Sequence, residues 1–299
     1  MKAIRTDLAL EARELWQESA GEETQLSGVI AREEEVRGHR VHRVKILNDA
    51  GAKALGKPIG NYSTVELCGV ARRDEDVFPR AIDTVADELA AMLPAGDGCV
   101  LVVGLGNRSI TPDAVGSAAI DHVMVTRHLV EKLPDLFGSL RQVSAIAPGV
   151  LGMTGMESRE VIAGVAARIS PVCIIVIDAL ASRRVARLCH TIQITDTGII
   201  PGSGVGNARA AINRETLGVP VIAVGVPTVV DISAIVSDIA AESGAPLPEH
   251  VLAEYSDQLM VTPKEIDVRI SDVGRIIGYA INSVLQPGVT LADMDVFLS

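Results

Sequence analysis

Four aspartates each follow an apolar segment that is predicted to be a β-strand. The segments and their aspartates are Cys99–Val103 with Asp113, Val172–Ile177 with Asp178, Thr191–Thr195 with Asp196, and Val219–Val224 with Asp231. Ligands of open parallel sheets bind beyond the carboxyl ends of the strands, so we expect the four carboxyl groups to share one rim of the sheet. Clustered carboxylates repel, and one of them should therefore keep a proton near neutral pH. Such a set can share general acid and general base work, or it can bind a cation.

Asp178 and Asp113 are the stronger catalytic candidates among these four. Asp178 comes directly after the apolar run CIIVI, so its carboxyl group should be nearly buried, and such burial favours a functional reason. Asp113 follows a Thr-Pro pair at a predicted helix start, where catalysis and a favourable contact with the helix dipole explain an acid equally well. Asp196 precedes a Thr-Gly turn and Asp231 opens a helix as an N-cap, so we expect both to line the cleft without reacting.

Glycines at the same rim are expected to leave room for a bound peptide backbone. Gly104, Gly106 and Asn107 form the turn before Asp113, and Gly204 lies in the loop Gly202–Asn207. This loop lacks the lysine and the spacing of a phosphate-binding loop, so it predicts an irregular cleft wall and no nucleotide site. No Ser, Cys or His lies in a nucleophile elbow, and a covalent acyl-enzyme therefore has no candidate residue. We predict no cofactor and assign no metal ligand.

Composition argues against several other classes of protein. The 299 residues carry a net charge of −11 and only 2% aromatic side chains, which disfavours binding of a nucleic-acid backbone and stacking on bases. The four cysteines lack C-x-x-C spacing, so buried reduced thiols are expected. The longest apolar run, Leu217–Val230, is too short for a membrane span, and the N-terminus lacks the apolar stretch of a signal peptide. We expect a cytoplasmic protein without a membrane or nucleic-acid partner.

The pattern of apolar residues predicts an α/β fold with a mostly parallel sheet flanked by helices on both faces and a small antiparallel β extension near the N-terminus. Residues 1–71 contain a first helix and then segments that alternate apolar and charged side chains, as half-exposed antiparallel strands do. Residues 72–240 alternate continuous apolar strands with helices, which is typical of a parallel core. Residues 241–299 are predicted to be helical. All three parts are expected to form a single domain, 1–299.

Three helices of this prediction have specific bounds. One helix begins after Pro112 and runs to about Lys132, and a second covers Ala181–Leu188. The third runs from Pro263 to about Leu285 and is predicted to be capped by Thr262, because Glu265 three residues on completes a capping box.

Eight sequence blocks resemble the germination proteases, spore endopeptidases of spore-forming Firmicutes. The blocks are IRTDLALE at Ile4–Glu11, VVGLGNRSITPDAVG at Val102–Gly116, VTRHL at Val125–Leu129, SAIAPGVLGMTGMES at Ser144–Ser158, IDALASR at Ile177–Arg183, QITDTGIIPGSGVGNAR at Gln193–Arg209, LGVPVIAVGVPTVVD at Leu217–Asp231 and LMVTPKEID at Leu259–Asp267. They are long, follow one order and cover most of the chain, so the resemblance is specific.

The resemblance implies an endopeptidase of the forespore or spore core that degrades small acid-soluble spore proteins during germination. It implies a fold similar to that of hydrogenase maturation peptidases and an atypical aspartic mechanism. The catalytic pair proposed for the family falls on Asp113 and Asp178. Which of the two is the acid and which is the base stays open, because a coupled pair titrates as a unit. A zymogen and a homotetramer are also implied.

Two features depart from the family pattern. Only Met1–Ile4 precede Arg5 where the family carries a propeptide, so we expect either a chain close to the mature form or a different route of activation. The segment Ile239–Gln258 is more compact than the family's insert, and this leaves open any substrate or oligomer contact that the insert makes.

Two alternative functions stand beside this interpretation. The first is a metal-dependent or metal-sensing maturation-type peptidase, in which the carboxylates hold a metal and His128 or His190 completes the ligand set. The second is a non-catalytic protein whose acidic rim binds basic spore proteins.

Overall fold

A nine-stranded mixed sheet organises the part of the chain that the computed structural model describes, residues 6–20, 26–244 and 259–299. Its order is β1-β2-β3-β7-β8-β6-β4-β5, and β9 pairs with β8. The strands are β1 (Val29–Val36), β2 (His39–Ile46), β3 (Gly60–Glu66), β4 (Val100–Gly104), β5 (Val143–Ile146), β6 (Cys173–Ser182), β7 (Thr191–Thr195), β8 (Val221–Asp231) and β9 (Met260–Val261).

The core of this sheet is parallel, as predicted. Strands β8, β6, β4 and β5 pair in parallel in that order. Because side chains alternate across a strand, a core strand that is buried on both faces must be apolar throughout. Val100 and Val102 of β4 accordingly belong to the apolar cluster on one face, while Leu101 and Val103 belong to the cluster on the other.

Helices cover both faces of the parallel core. One face packs against α3, α4 and α11, and the other packs against α8. The helices are α1 (Ala9–Ala20), α2 (Asp49–Leu55), α3 (Val77–Ala90), α4 (Val115–Ile120), α5 (Arg127–Lys132), α6 (Pro134–Phe137), α7 (Leu151–Thr154), α8 (Ser158–Ile169), α9 (Arg214–Leu217), α10 (Ile232–Glu242), α11 (Ile266–Leu285) and α12 (Leu291–Leu298). None of the helices in the described residues is long and apolar enough to cross a membrane.

The N-terminal β extension is antiparallel, as predicted, and it continues the same sheet. β1, β2 and β3 pair in sequence, and β3 joins the core through β7. Strand β2 alternates buried residues such as Val41 with exposed ones such as Arg40, so one face lies on a core and the other meets solvent.

The prediction of a helix at Ala181–Leu188 is wrong. β6 continues through Asp178 to Ser182, because β8 supplies pairing partners up to Val230 across a β-bulge. Only a single 3-10 turn, Val185–Arg187, then separates β6 from β7. Parallel strands need a long crossover connection, so this short turn makes β7 antiparallel to β8.

Two other helix boundaries differ from the prediction. The helix expected from Pro112 to Lys132 is divided into α4 and α5, and between them Met124 N donates to Asn282 Oδ1 of α11 at 2.8 Å. Helix α11 begins at Ile266, and Thr262 does not cap it. The Thr262 hydroxyl instead donates to the Thr228 carbonyl at 2.9 Å. Met1–Ile4 and most of the compact segment predicted at Ile239–Gln258 lie outside the described residues.

Candidate active site

Asp113 lies in the connection from β4 to α4. Its Oδ2 accepts a hydrogen bond from Asn107 N at 2.7 Å, which closes the turn after β4. The residue ends a 3-10 turn, Thr111–Asp113, directly before α4. Burial raises the pKa of the Asp113 carboxyl group, and the hydrogen bond from Asn107 partly opposes that rise. Asp113 is half-buried, so it is accessible to a water molecule and a substrate.

Two glycines bring the Asp113 segment close to the middle of β6. Gly106 has φ +94°, and a Cβ there would lie 1.9 Å from the Asp113 carbonyl oxygen. A Cβ on Gly116 would lie 2.3 Å from the Leu105 carbonyl oxygen and 2.7 Å from that of Ile177. Since Ile177 directly precedes Asp178, the missing side chains let the two aspartate segments approach each other. Gly106 therefore has a packing role, and its role as room for a substrate stays a prediction.

Asp178 is nearly buried inside the extended strand β6. Its side chain is 5% exposed, and Oδ1 accepts a hydrogen bond from Ala179 N at 2.9 Å. Burial raises the pKa of Asp178 well above its usual range, and the negative charge of Asp113 raises it further. The pair is therefore asymmetric: Asp178 is the better place for a proton and Asp113 is the better place for a charge.

A third carboxyl group, Asp7, lies close enough for its charge to raise the pKa of Asp178 as well, after burial and Asp113. Its Oδ2 accepts a hydrogen bond from Ala181 N at 2.9 Å. The ends of the predicted strands do not lead to Asp7, because Asp7 lies on no strand and joins the site from the N-terminal segment. The one available signal was its place in the block IRTDLALE, which carried the family resemblance without a stated role.

The prediction that all four aspartates share one rim is wrong for Asp196. Strand β7 runs antiparallel to β8 and Thr195 pairs with Ala223, so Asp196 lies toward the opposite edge of the sheet. Both Asp196 and Asp231 stabilise local structure. Asp196 is exposed and accepts hydrogen bonds from the backbone N and the side chain of Asn61, so it joins β7 to β3. Asp231 accepts from Ser233 N at 2.7 Å and Ser233 Oγ at 2.6 Å, which satisfies the first turn of α10 as an N-cap does. Neither residue contributes to the raised pKa of Asp178.

The remaining predicted glycines pack closely against backbone or side chains. Gly104 ends β4, and a Cβ there would lie 2.3 Å from the Gly116 carbonyl oxygen. Gly204 is buried against Asp7 and Ala181, with the Asp7 Oδ2 only 2.0 Å from the position of a Cβ. Asn107 supplies the backbone N–H that binds Asp113.

Metal-ligating side chains are not grouped in the described ranges: no three His, Cys, Asp or Glu residues lie together as a metal site requires. His128 lies on α5, and His190 follows the turn between β6 and β7, where its carbonyl accepts from Leu67 N at 2.7 Å. Burial lowers the pKa of His190, and Arg269 lowers it further.

The sequence profile of the germination proteases matches residues 9–243 of the chain. This chain belongs to the germination protease family. Curated germination proteases are similar over nearly their whole length. The protein from Caldanaerobacter subterraneus subsp. tengcongensis is 47% identical over 99% of this chain and 98% of its own, and one from Clostridium perfringens is 42% identical over 100% of both. The relative from Priestia megaterium is 38% identical over 95% of this chain and 94% of its own.

Membership in the germination protease family makes the chain a peptidase of spore germination, as the sequence blocks indicated. Among solved structures, the [NiFe] hydrogenase maturation protease HycI from Thermococcus kodakarensis is similar with a TM-score of 0.36 and 16% identity. That likeness covers 65% of this chain and 99% of HycI.

Proposed function

We propose that this germination protease hydrolyses small acid-soluble spore proteins in the spore core, with Asp113 and Asp178 as an acid–base pair that activates water. The observation that carries the proposal is the asymmetric pair itself. A nearly buried carboxyl group inside the core strand β6 lies close enough to a half-buried one for the charge of the second to raise its pKa. A carboxyl group held protonated at neutral pH can donate a hydrogen bond, and its ionised neighbour can accept a proton.

The asymmetry supports an assignment of the two roles that the sequence left open. Asp113, ionised and accessible, takes a proton from the attacking water as the oxygen bonds to the scissile carbonyl carbon. Asp178, protonated, donates a hydrogen bond to the carbonyl oxygen and stabilises the charge that develops there. The C–N bond then breaks as the amine nitrogen receives the proton that Asp113 holds. The products are a carboxylic acid and an amine, and the two aspartates return to their starting states.

Cleavage by isosteric variants tests the mechanism. Asp113→Asn removes the base. Asp178→Asn replaces the acidic O–H that donates to the carbonyl oxygen with a less acidic amide N–H and keeps the size of the side chain. Each change is expected to lower kcat by at least about a hundredfold on a recombinant small acid-soluble spore protein, because a general base and a donor to the developing oxyanion each contribute at least about this factor. The measurement is the rate of fragment formation at saturating substrate, together with the circular dichroism spectrum of each variant.

Asp97→Asn is the matched control, because Asp97 is an exposed aspartate before β4, at the opposite end of the sheet. It should cleave at the wild-type rate. Full activity in a folded Asp113→Asn or Asp178→Asn protein contradicts the acid–base pair. Loss of wild-type activity on adding a chelator, with recovery on adding a divalent cation, supports the metal-dependent alternative instead. Tight binding of the spore protein without fragments supports the non-catalytic one.

A further inference from the structure

Asp7 is held between β6 and the loop Gly202–Gly206 by both oxygens of its side chain. Oδ2 accepts from Ala181 N at 2.9 Å, and Oδ1 accepts from Ser203 Oγ at 2.8 Å. The backbone N–H of Asp7 also donates to the Ala181 carbonyl at 3.0 Å. One residue therefore joins the N-terminal segment, the strand that carries Asp178, and the loop.

The loop is built around the Asp7 carboxyl group. A Cβ on the buried Gly204 would lie 2.0 Å from Asp7 Oδ2 and 2.7 Å from Ala181 Cβ, so only glycine fits there. Gly202 and Gly206 flank it with φ +73° and +74°, a conformation that favours glycine. These glycines allow the loop to reach the carboxylate, and Ser203 then binds it.

Asp7 is itself fixed from the side of the sheet. Gln193 of β7 is buried, and its Nε2 donates to the Asp7 carbonyl at 3.2 Å while its Oε1 accepts from Ala9 N at 2.7 Å. The Lys57 ammonium donates to the Thr6 carbonyl at 2.9 Å. The carboxyl group of Asp7 therefore has a position that the surrounding chain determines.

The loop lies within reach of a substrate bound at the catalytic pair. Ala181 follows Asp178 by three residues on β6, which corresponds to about 10 Å along an extended strand. A peptide in extended conformation covers that distance in about three residues. Val205 on the loop is 46% exposed and Ile200, two residues before the loop, is 44% exposed, so both present apolar side chains to solvent.

Building on the proposed function, we propose that Asp7 is a positioning residue that fixes the loop Gly202–Gly206 as a wall of the substrate cleft. The loop then binds an apolar side chain of the substrate, two or three residues from the scissile bond, through Val205. Asp7 touches neither the substrate nor the attacking water in this role.

The charge of Asp7 gives the proposal a second readout. Burial is the main cause of the raised pKa of Asp178, and the charges of Asp113 and then Asp7 add to it. Within the described part of the chain, the charges of both Asp7 and Glu11 act on the Lys57 ammonium, and Glu11 is paired with Arg187 at 3.1 Å. Removing the charge of Asp7 should therefore let Asp178 lose its proton at a lower pH.

Ser203→Ala tests the tie to the loop. It removes the hydrogen bond from Ser203 Oγ and keeps the charge of Asp7. We expect KM for a recombinant small acid-soluble spore protein to rise about tenfold, because a hydrogen bond to a charged group is lost, with kcat nearly unchanged. The alkaline limb of kcat/KM should stay in place. Ser19→Ala, which changes an exposed serine of α1, is the matched control and should keep the wild-type KM.

Asp7→Asn tests the electrostatic part. Asn keeps an oxygen that accepts one of the two hydrogen bonds and removes the charge. The alkaline limb of kcat/KM reports the loss of the Asp178 proton from the free enzyme, so it should move to lower pH. Glu18→Gln removes the same charge from an exposed position of α1 and should leave the limb where it is.

The two variants together decide the proposal. A raised KM in Ser203→Ala with a shifted limb in Asp7→Asn supports it. An unchanged KM in Ser203→Ala overturns it, and so does an Asp7→Asn profile that coincides with that of Glu18→Gln. If Asp7→Asn does not fold, the KM of Ser203→Ala alone decides, because Ser203 is exposed. Activity in Asp113→Asn or Asp178→Asn would instead refute the proposed function, so the two failures are distinguishable.

Discussion

A buried acid lowers the stability of the protein that contains it. In Asp178, burial and the neighbouring charges disfavour the ionised form, so the pKa is higher in the folded chain than in the unfolded chain. Below the unfolded pKa of about 3.9, the group is protonated in both states and does not reduce the free energy of unfolding. The free energy of unfolding then decreases as the pH rises through the folded pKa. The buried carboxyl group of the candidate site is therefore maintained at a cost in free energy that the rest of the fold offsets.

Substituting Asp178 should remove that pH-dependent cost. We expect Asp178→Asn to have a higher free energy of unfolding than the wild type at pH 7.5, and the difference should shrink as the pH is lowered toward 5. Its slope should be at most about 1.4 kcal/mol per pH unit, the value for one proton. Urea unfolding of both proteins at several pH values in this range measures the difference. A difference that does not vary with pH would contradict the raised pKa.

Sequence position predicts the surroundings of a candidate site residue only where local structure determines them. Asp178 could be predicted because a core strand directly before it forces burial, and Asp113 because a glycine turn and a helix start leave it at the sheet rim. Asp7 could not be predicted in this way. Its hydrogen bonds go to Ala181 and Ser203, which are distant in sequence, so only the folded chain brings them together.

At the scale of elements, the site depends on how closely α4 approaches β6. Gly116 lies in α4, and its hydrogen in place of a side chain allows contact with the backbone of Leu105 and Ile177. The same contact determines where Asp113 stands relative to Asp178. Apolar periodicity predicted the strands and the two helical layers, because burial on both faces leaves a clear pattern.

Pairing with β8 determined where β6 ends, which the periodicity of apolar residues did not predict. The sequence Ala179–Ala181 suits a helix, yet β8 offers it pairing partners across a bulge, and these extend β6 past Asp178. This extension also supplies the Ala181 amide and carbonyl that bind Asp7. The residues that local propensity assigns to a helix are thus the part of β6 that binds Asp7.

Alanine at Gly116 should disturb both stability and activity. We expect Gly116→Ala to lower the free energy of unfolding by about 1–3 kcal/mol, the usual cost of overpacking, and to reduce kcat because Asp113 moves away from Asp178. Gly164→Ala is the matched control: it lies within α8, and a Cβ there meets no atom within 4 Å. That change should stabilise the protein by about 0.5–1 kcal/mol, as alanine favours a helix over glycine.

Both glycine variants are measured by urea unfolding and by the cleavage rate. If the two variants have equal free energies of unfolding, α4 can move away from β6 without destabilising the protein. Wild-type kcat in a destabilised Gly116→Ala protein would show that the packing of α4 does not determine the position of Asp113.

On the scale of the whole molecule, the N-terminal part and the parallel core share one sheet. β3 pairs with β7 over five residue pairs, from Tyr62 with Thr195 to Glu66 with Thr191. Helix α1 is also bound to the turn after β6. Glu11 is 1% exposed and accepts from Arg183 N at 2.7 Å and Arg184 N at 3.0 Å. The antiparallel extension is therefore joined to the core by backbone pairing and by a buried carboxylate.

Trp16, the single tryptophan of the chain, makes this connection measurable. It lies on α1 and packs on an apolar cluster that includes Val44 and Tyr62 of the extension, so its fluorescence reports the N-terminal part. Far-ultraviolet circular dichroism reports chiefly the helices that cover the core.

Because pairing between β3 and β7 must break before the extension can separate, we expect both signals to change at the same urea concentration. A fluorescence transition at clearly lower urea would show that the extension unfolds alone. Asp7, which is held by Ala181 and Gln193, would then move away from the proposed pair of Asp113 and Asp178 while the core stays folded. The cleavage rate measured across the same urea series distinguishes these outcomes. If the extension unfolds alone, activity should be lost together with the fluorescence change. If the chain unfolds as one unit, activity, fluorescence and circular dichroism should change together.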